Sequence, residues 1–143
     1  AMVFGENQPL RRLRLDYAYL TQTRKDKEVY FKSNYAGEYL RHKFVATLDH
    51  RLISRLNASW VFRLQERNGN YVVVDRTNPA KLKATDQLMP YGLHGRLDLK
   101  LHWDAKNYSL FCDLQNLTNH RFYDLANVEQ PGFVVMAGAS YQF

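Results

Sequence analysis

The chain has 143 residues, enough for one domain, and its composition nowhere shifts sharply enough to divide it. A net charge of +6 with 14% aromatic residues leaves three partner classes open: nucleic acid, an anionic membrane surface or an acidic ligand. A single cysteine, Cys112, excludes an intrachain disulfide, and glycine and proline are too scarce for a low-complexity chain.

No apolar run approaches the roughly 20 residues of a spanning helix. A negative mean hydropathy does not exclude membrane strands, because these alternate lipid-facing and lumen-facing residues and average out as polar. The opening stretch from Ala1 to Asn7 lacks the charged, apolar and cleavage regions of a signal peptide. For a chain that needs export, this implies a mature form or a fragment.

Six long segments alternate with a period of two, the mark of strands with unlike faces. In Arg12 to Thr23, Leu13, Leu15, Tyr17 and Tyr19 oppose Arg12, Arg14, Asp16 and Ala18. From about Glu38 to Asp49, Leu40, His42, Phe44, Ala46 and Leu48 share one face. From Ser54 to Arg67, Leu56, Ala58, Trp60, Phe62 and Leu64 oppose Arg55, Asn57, Ser59, Arg63 and Gln65. Tyr91 to Trp103 is the cleanest: Leu97, Leu99, Leu101 and Trp103 oppose Arg96, Asp98, Lys100 and His102. Tyr108 to about Leu117 sets Tyr108, Leu110, Cys112 and Leu114 on one face, so Cys112 reads as a small hydrophobe rather than a reactive thiol. Phe133 to Phe143 alternates to its last residue.

At about 3.3 Å per residue, a twelve-residue strand extends about 40 Å. Tilted by about 45°, it crosses roughly 28 Å, the thickness of a bilayer's hydrocarbon core. The connections alternate in length. Asp49 to Ile53 and Asp104 to Asn107 read as tight turns, whereas Thr23 to Gly37, Asn68 to Pro90 and Thr118 to Pro131 read as long polar loops. Short turns at one end and long loops at the other form the pattern of outer-membrane barrels. Trp103, Tyr108, Tyr141 and Phe143 lie near the short-turn end, where a headgroup-level girdle belongs.

Residues for chemistry are sparse. His94 and His102 share a face but lie about 26 Å apart along a strand, too far to share a metal. His42, His50 and His120 read as face, turn and loop residues, and Ser59 and Ser109 have no histidine beside them on their own faces. The expectation is no enzyme, no catalytic residue, no metal and no cofactor. Arg55, Arg63, Arg96 and Lys100 fall on the polar face, where a water-filled lumen needs charge. Basic side chains and aromatics prefer opposite faces, which argues against nucleic acid. A ligand is expected at the long-loop end, where Tyr30, Phe31, Tyr35, Tyr71 and Tyr123 are the candidate aromatic contacts.

The stretch Phe111-Cys-Asp-Leu-Gln-Asn-Leu-Thr-Asn119, then Tyr123, Pro131-Gly132 and a final strand ending in Phe143, resembles the C-terminus of TonB-dependent outer-membrane receptors. Tyr39 to Lys43, Ala58 to Trp60 and Arg67 to Gly69 are more loosely similar to receptors of the vitamin B12 and iron-chelate type. Gly138, Tyr141 and Phe143 resemble the signal read by the barrel-assembly machinery, with Met136 where a polar residue is more usual. The resemblance implies an all-β fold: an antiparallel up-and-down meander of about six long strands, a segment of a 22-stranded transmembrane barrel. Residues 1–143 then form its C-terminal segment, with plug domain and earlier strands outside it. It further implies a bacterial outer-membrane location and uptake of an iron chelate, haem or a cobalamin. The implied partners are membrane lipid and lipopolysaccharide, the assembly machinery, the plug and, through the plug, TonB. A soluble antiparallel sheet domain that binds a ligand or partner, and a small complete barrel of structural or adhesin type, are the alternatives.

Overall fold

The computed structural model describes residues 1–5, 8–22, 39–75, 77–78, 80–81, 83–125 and 128–143. These form only strands and connections, with no helix among them. The strands are β1 (Met2–Val3), β2 (Leu10–Tyr19), β3 (Leu40–Ile53), β4 (Leu56–Arg67), β5 (Asn70–Asp75), β6 (Lys83–Pro90), β7 (His94–Asp104), β8 (Tyr108–Gln115), β9 (Tyr123–Asp124), β10 (Val128–Glu129) and β11 (Val134–Tyr141). One sheet carries the order β1-β2-β3-β4-β7-β8-β11, antiparallel throughout. Two hairpins, β5–β6 and β9–β10, stand apart from it.

The register settles which side chains share a face. Leu15, Ala46, Phe62 and Leu97 lie in one row across β2, β3, β4 and β7, and Leu13, Leu48, Trp60, Leu99, Leu114 and Val135 in the next. Arg14, Thr47, Val61 and Asp98 occupy a row of the opposite face. Cys112 sits between Leu101 and Ala137 on the apolar face. The two faces are therefore chemically unlike along the sheet.

No second layer covers the apolar face among the described residues. Leu15 is 58% exposed, Val135 53% and Phe62 37%, and Ala58 and Tyr91 are the only fully buried hydrophobic residues described. A compact soluble domain sinks its apolar stripe against another layer around one core. This sheet does not. Among the described residues its edges are also free: β1 pairs only with Arg12 and Leu13 of β2, and β11 has a strand on one side alone.

All six long segments form strands, but one turn falls elsewhere. The sequence places a tight turn at Asp49 to Ile53; β3 instead runs through it to Ile53, and the chain reverses at Ser54 and Arg55. His50 pairs with Ala58 and Arg51 with Asn57, so alternation continues through two polar residues before an irregularity near Ile53. Arg55 accordingly belongs to the turn rather than the polar face. The turn after Asp104 lies where its Lys-Asn pair points, closed by the Ala105 amide donating to the Tyr108 carbonyl at 2.9 Å. Asn68 to Pro90 is more ordered than its polarity implies, since β5 and β6 build a hairpin within it. Near the far end of that hairpin Asp75 accepts the Thr77 amide at 2.9 Å, which holds its carboxyl below the usual carboxylate range.

Asn116 locks the loop between β8 and β11. It is 1% exposed and has a left-handed backbone at φ 54°, which asparagine tolerates better than most residues. Its side-chain nitrogen donates to the carbonyls of His120 (2.9 Å) and Pro131 (3.0 Å), while its oxygen accepts the Thr118 hydroxyl at 2.8 Å. Asn119, at φ 50°, accepts the Phe133 amide at 2.9 Å and so aligns the entry to β11. Replacing Asn116 with alanine leaves buried groups unpartnered, at about 1–3 kcal/mol for each group so stranded. Asn116→Gly loses the same bonds but not the left-handed conformation, and should retain about 1 kcal/mol more stability than Asn116→Ala. Unfolding midpoints of the two variants in detergent check that order.

Candidate functional site

At the long-loop end of the polar face, β4, β7 and the loop after β8 enclose a cleft of about 270 Å³. Arg63, Gln65, His94, Arg96, Phe122, Asp124 and Gln130 line it. Alternation sends Arg63 and Gln65 of β4 to the same face as His94 and Arg96 of β7, and the register sets Arg63 opposite Arg96 and Gln65 opposite His94. Two guanidiniums facing each other need an anion between them. Asp98 supplies it.

Asp98 is 7% exposed and joins three elements. It pairs with Arg63 across the strands, accepts Arg96 Nε at 2.7 Å and accepts the Asn116 amide at 2.8 Å. Arg96 also donates from Nη2 to Gln115 Oε1 at 3.1 Å. Lower down the same face, Arg12 donates to Asp49 at 2.7 Å, and Ser59 donates to the other oxygen of that carboxylate. Charge-assisted bonds thus bridge every neighbouring pair of strands from β2 to β7, the β3–β4 interval through Ser59.

The cleft's upper wall is aromatic. Phe122 stacks on His94 with centroids 3.8 Å apart, and His120 lies beyond Phe122 at 6.3 Å. His94 Nδ1 lies 3.2 Å from the Gly92 carbonyl, which can only accept, so Nδ1 carries the proton of the neutral ring. Nε2 is buried without a partner among the described residues. Arg67 donates to Asp124 at 2.6 Å and thereby anchors β9 over the end of β4.

Of the five aromatic residues proposed from sequence as ligand contacts, Tyr30, Phe31 and Tyr35 lie outside the described residues. Tyr71 and Tyr123 come together: their rings stack at 4.6 Å and 20°, and Tyr71 also meets Tyr91 at 5.7 Å. This stack fastens hairpin β5–β6 to hairpin β9–β10 above the cleft. The sequence did not single out Asp98, Phe122, Gln65 or Gln130 for this site. Arg96, Asp98 and Lys100 on one face were legible as a charge ladder, but nothing local announces that Phe122 reaches His94.

Gly138, Tyr141 and Phe143 are all placed. Gly138 faces Phe111 on the polar side, and a Cβ there would come within 2.5 Å of the Phe111 ring. The ring occupies the space that glycine leaves, with Lys100 Nζ 5.8 Å above its centroid. Tyr141 pairs with Tyr108 beside the short turn, and its ring meets Phe143 edge-on at 5.3 Å. Trp103 pairs with Leu56 at the same end.

The histidines are dispersed. His42 bonds the Tyr17 hydroxyl at 2.8 Å and meets the Tyr19 ring at a tilt, His50 accepts Trp60 Nε1 at 3.0 Å, and His102 meets Asp104 at 2.7 Å. No group of three metal-binding side chains occurs among the described residues. Comparison with protein-family models, curated proteins and solved structures finds no match to this chain.

If the tyrosine stack couples the two hairpins, replacing Tyr71 and Tyr123 by alanine will be non-additive. The double-mutant cycle should give a coupling of about 0.5–1.5 kcal/mol, whereas pairing Tyr71→Ala with Tyr108→Ala should give none.

Proposed function

We propose that this chain is part of the wall of a transmembrane β-barrel in a bacterial outer membrane, serving TonB-dependent uptake of a scarce nutrient. One observation carries the membrane half of this reading. The sheet is a single layer whose apolar face has nothing over it among the described residues, while the other face is a ladder of ion pairs. Acyl chains on one side and an aqueous lumen on the other satisfy both.

The ends of the apolar face fit that medium. Tyr17, Tyr19 and His42 cluster at the long-loop end, and Trp103, Tyr108, Tyr141 and Phe143 at the short-turn end, with Leu, Val, Ala, Phe and Trp60 among the residues between. His42 and His50 bracket this band on β3, eight residues or about 26 Å of strand apart. Amphipathic rings belong at headgroup level. The edges left open among the described residues, at β11 and at β2 beyond its two pairs with β1, favour a wall continued by further strands over a small barrel closed by this chain alone.

The receptor half rests on the resemblance of the Phe111–Asn119 stretch, Tyr123, Pro131-Gly132 and the last strand. In this reading the long-loop end faces outward toward lipopolysaccharide and the nutrient. The polar face meets the lumen and the plug through which TonB acts. Gly138, Tyr141 and Phe143 present the strand read by the assembly machinery, where strand addition supplies main-chain pairing and alternate side chains supply specificity.

Leu99 lies midway along β7 on the apolar face, and Lys100 beside it on the polar face. Leu99→Arg should cost about 2–4 kcal/mol in a bilayer and abolish stable insertion into phospholipid vesicles. Lys100→Leu should insert as the unaltered protein does. Flotation of refolded protein with vesicles measures both. A freely soluble monomer that never floats, or equal flotation of Leu99→Arg, would sink the membrane reading.

A further inference from the structure

We propose that the cleft between β4, β7 and the loop after β8 is a binding site for a small planar carboxylate. The argument starts from an electrostatic imbalance. Arg63 and Arg96 share one carboxylate, Asp98, and Asp124 across the cleft is taken by Arg67. Among the described residues that line the cleft, Arg63 and Arg96 thus have one carboxylate between them, in a site partly screened from water.

Donors remain to receive an anion. Arg63 spends one nitrogen on Asp98, and Arg96 spends Nε and Nη2 on Asp98 and Gln115. Nε and Nη2 of Arg63 and Nη1 of Arg96 have no partner among the described residues. The side-chain amides of Gln65 and Gln130, also in the lining, are likewise unengaged there. Guanidinium forks match carboxylates bidentately, and Arg63, which gives Asp98 only Nη1, keeps Nε and Nη2 as such a pair.

Shape narrows the class. A volume of about 270 Å³ lies just below the usual range for drug-sized ligands, about 300–1,000 Å³, so a whole macrocyclic chelate does not fit. Phe122 and His94, stacked on each other at 3.8 Å, line the cleft together as an aromatic wall, which suits a planar body better than a tetrahedral anion. A carboxylate on a flat ring or short conjugated chain satisfies charge, donors and wall together. Both a free acid and the acidic arm of a larger ligand carry that group.

The inference goes beyond the transport reading and does not depend on it, because the cleft lies wholly within the chain. The test is calorimetric titration of the full protein, folded in detergent micelles, with benzoate. Benzamide serves as the uncharged isostere, inorganic phosphate as the tetrahedral anion and 4-phenylbutyrate as a carboxylate carried on an arm. Benzoate and 4-phenylbutyrate should each saturate one site per chain, with benzamide and phosphate at least about tenfold weaker. Gln130→Glu adds a negative charge to the lining without touching the Asp98 network and should weaken benzoate by about tenfold or more, while Gln130→Lys should strengthen it. Lys106→Glu, in the distant turn, should change nothing. Absence of saturable benzoate binding in protein that keeps its β-sheet circular dichroism overturns the site, as does benzamide binding equally well or indifference to Gln130→Glu. Equal binding of phosphate overturns the planar assignment. None of these outcomes alters vesicle flotation, so failure here is distinct from failure of the membrane reading.

Discussion

A sheet one layer thick has two faces and can hide neither by itself. That constraint governs everything else in this molecule. In water, the exposed rows of Leu, Phe, Val and Tyr would forfeit burial at roughly 25 cal/mol per Å², and the described chain contains almost no buried apolar interior to compensate. A hydrocarbon medium removes the difficulty without a second layer, and main-chain pairing between strands then meets the demand for hydrogen bonds that such a medium imposes.

The opposite face solves the reverse problem. Charged groups crowded on adjacent strands repel unless a counter-charge reaches them, and here one does: Arg12 answers Asp49, and Asp98 bonds both Arg63 and Arg96. Because the sheet is held laterally by these bridges as well as by its ladder, the polar face is organised rather than merely wet. Its one asymmetry, two guanidiniums on a single carboxylate, falls where the loop after β8 folds back, and that loop is held by Asn116 through groups far apart in sequence. Rigidity of the loop and shape of the cleft therefore have a common origin.

Sequence periodicity disclosed the strands because their faces differ so strongly in polarity; β2, β4, β7, β8 and β11 could each be read from alternation alone. It misplaced the turn after β3 because His50 and Arg51 look like turn residues, while the registered partners Ala58 and Asn57 keep them in the ladder. Hairpin β5–β6 was hidden for a related reason. Its six- and eight-residue strands are short and bulged, with a continuous Tyr71-Val-Val-Val74 run in β5 and mixed residues in β6, so no clean period survives. The cleft was legible only in part. Arg63 and Arg96 announce themselves by face, but their meeting depends on pairing between residues about thirty positions apart, which a linear reading cannot supply.

The long strands of the main sheet are even in number, so β2 and β11 run in opposite senses at its two margins. Any such ribbon can be laid beside another of its kind, and the seam preserves the alternation of direction. In any barrel built from such ribbons, circumference is thus an arithmetic of hairpins: inserting or losing a pair leaves every remaining neighbour correctly oriented. An enclosure assembled this way can change its girth in evolution without inventing a new fold.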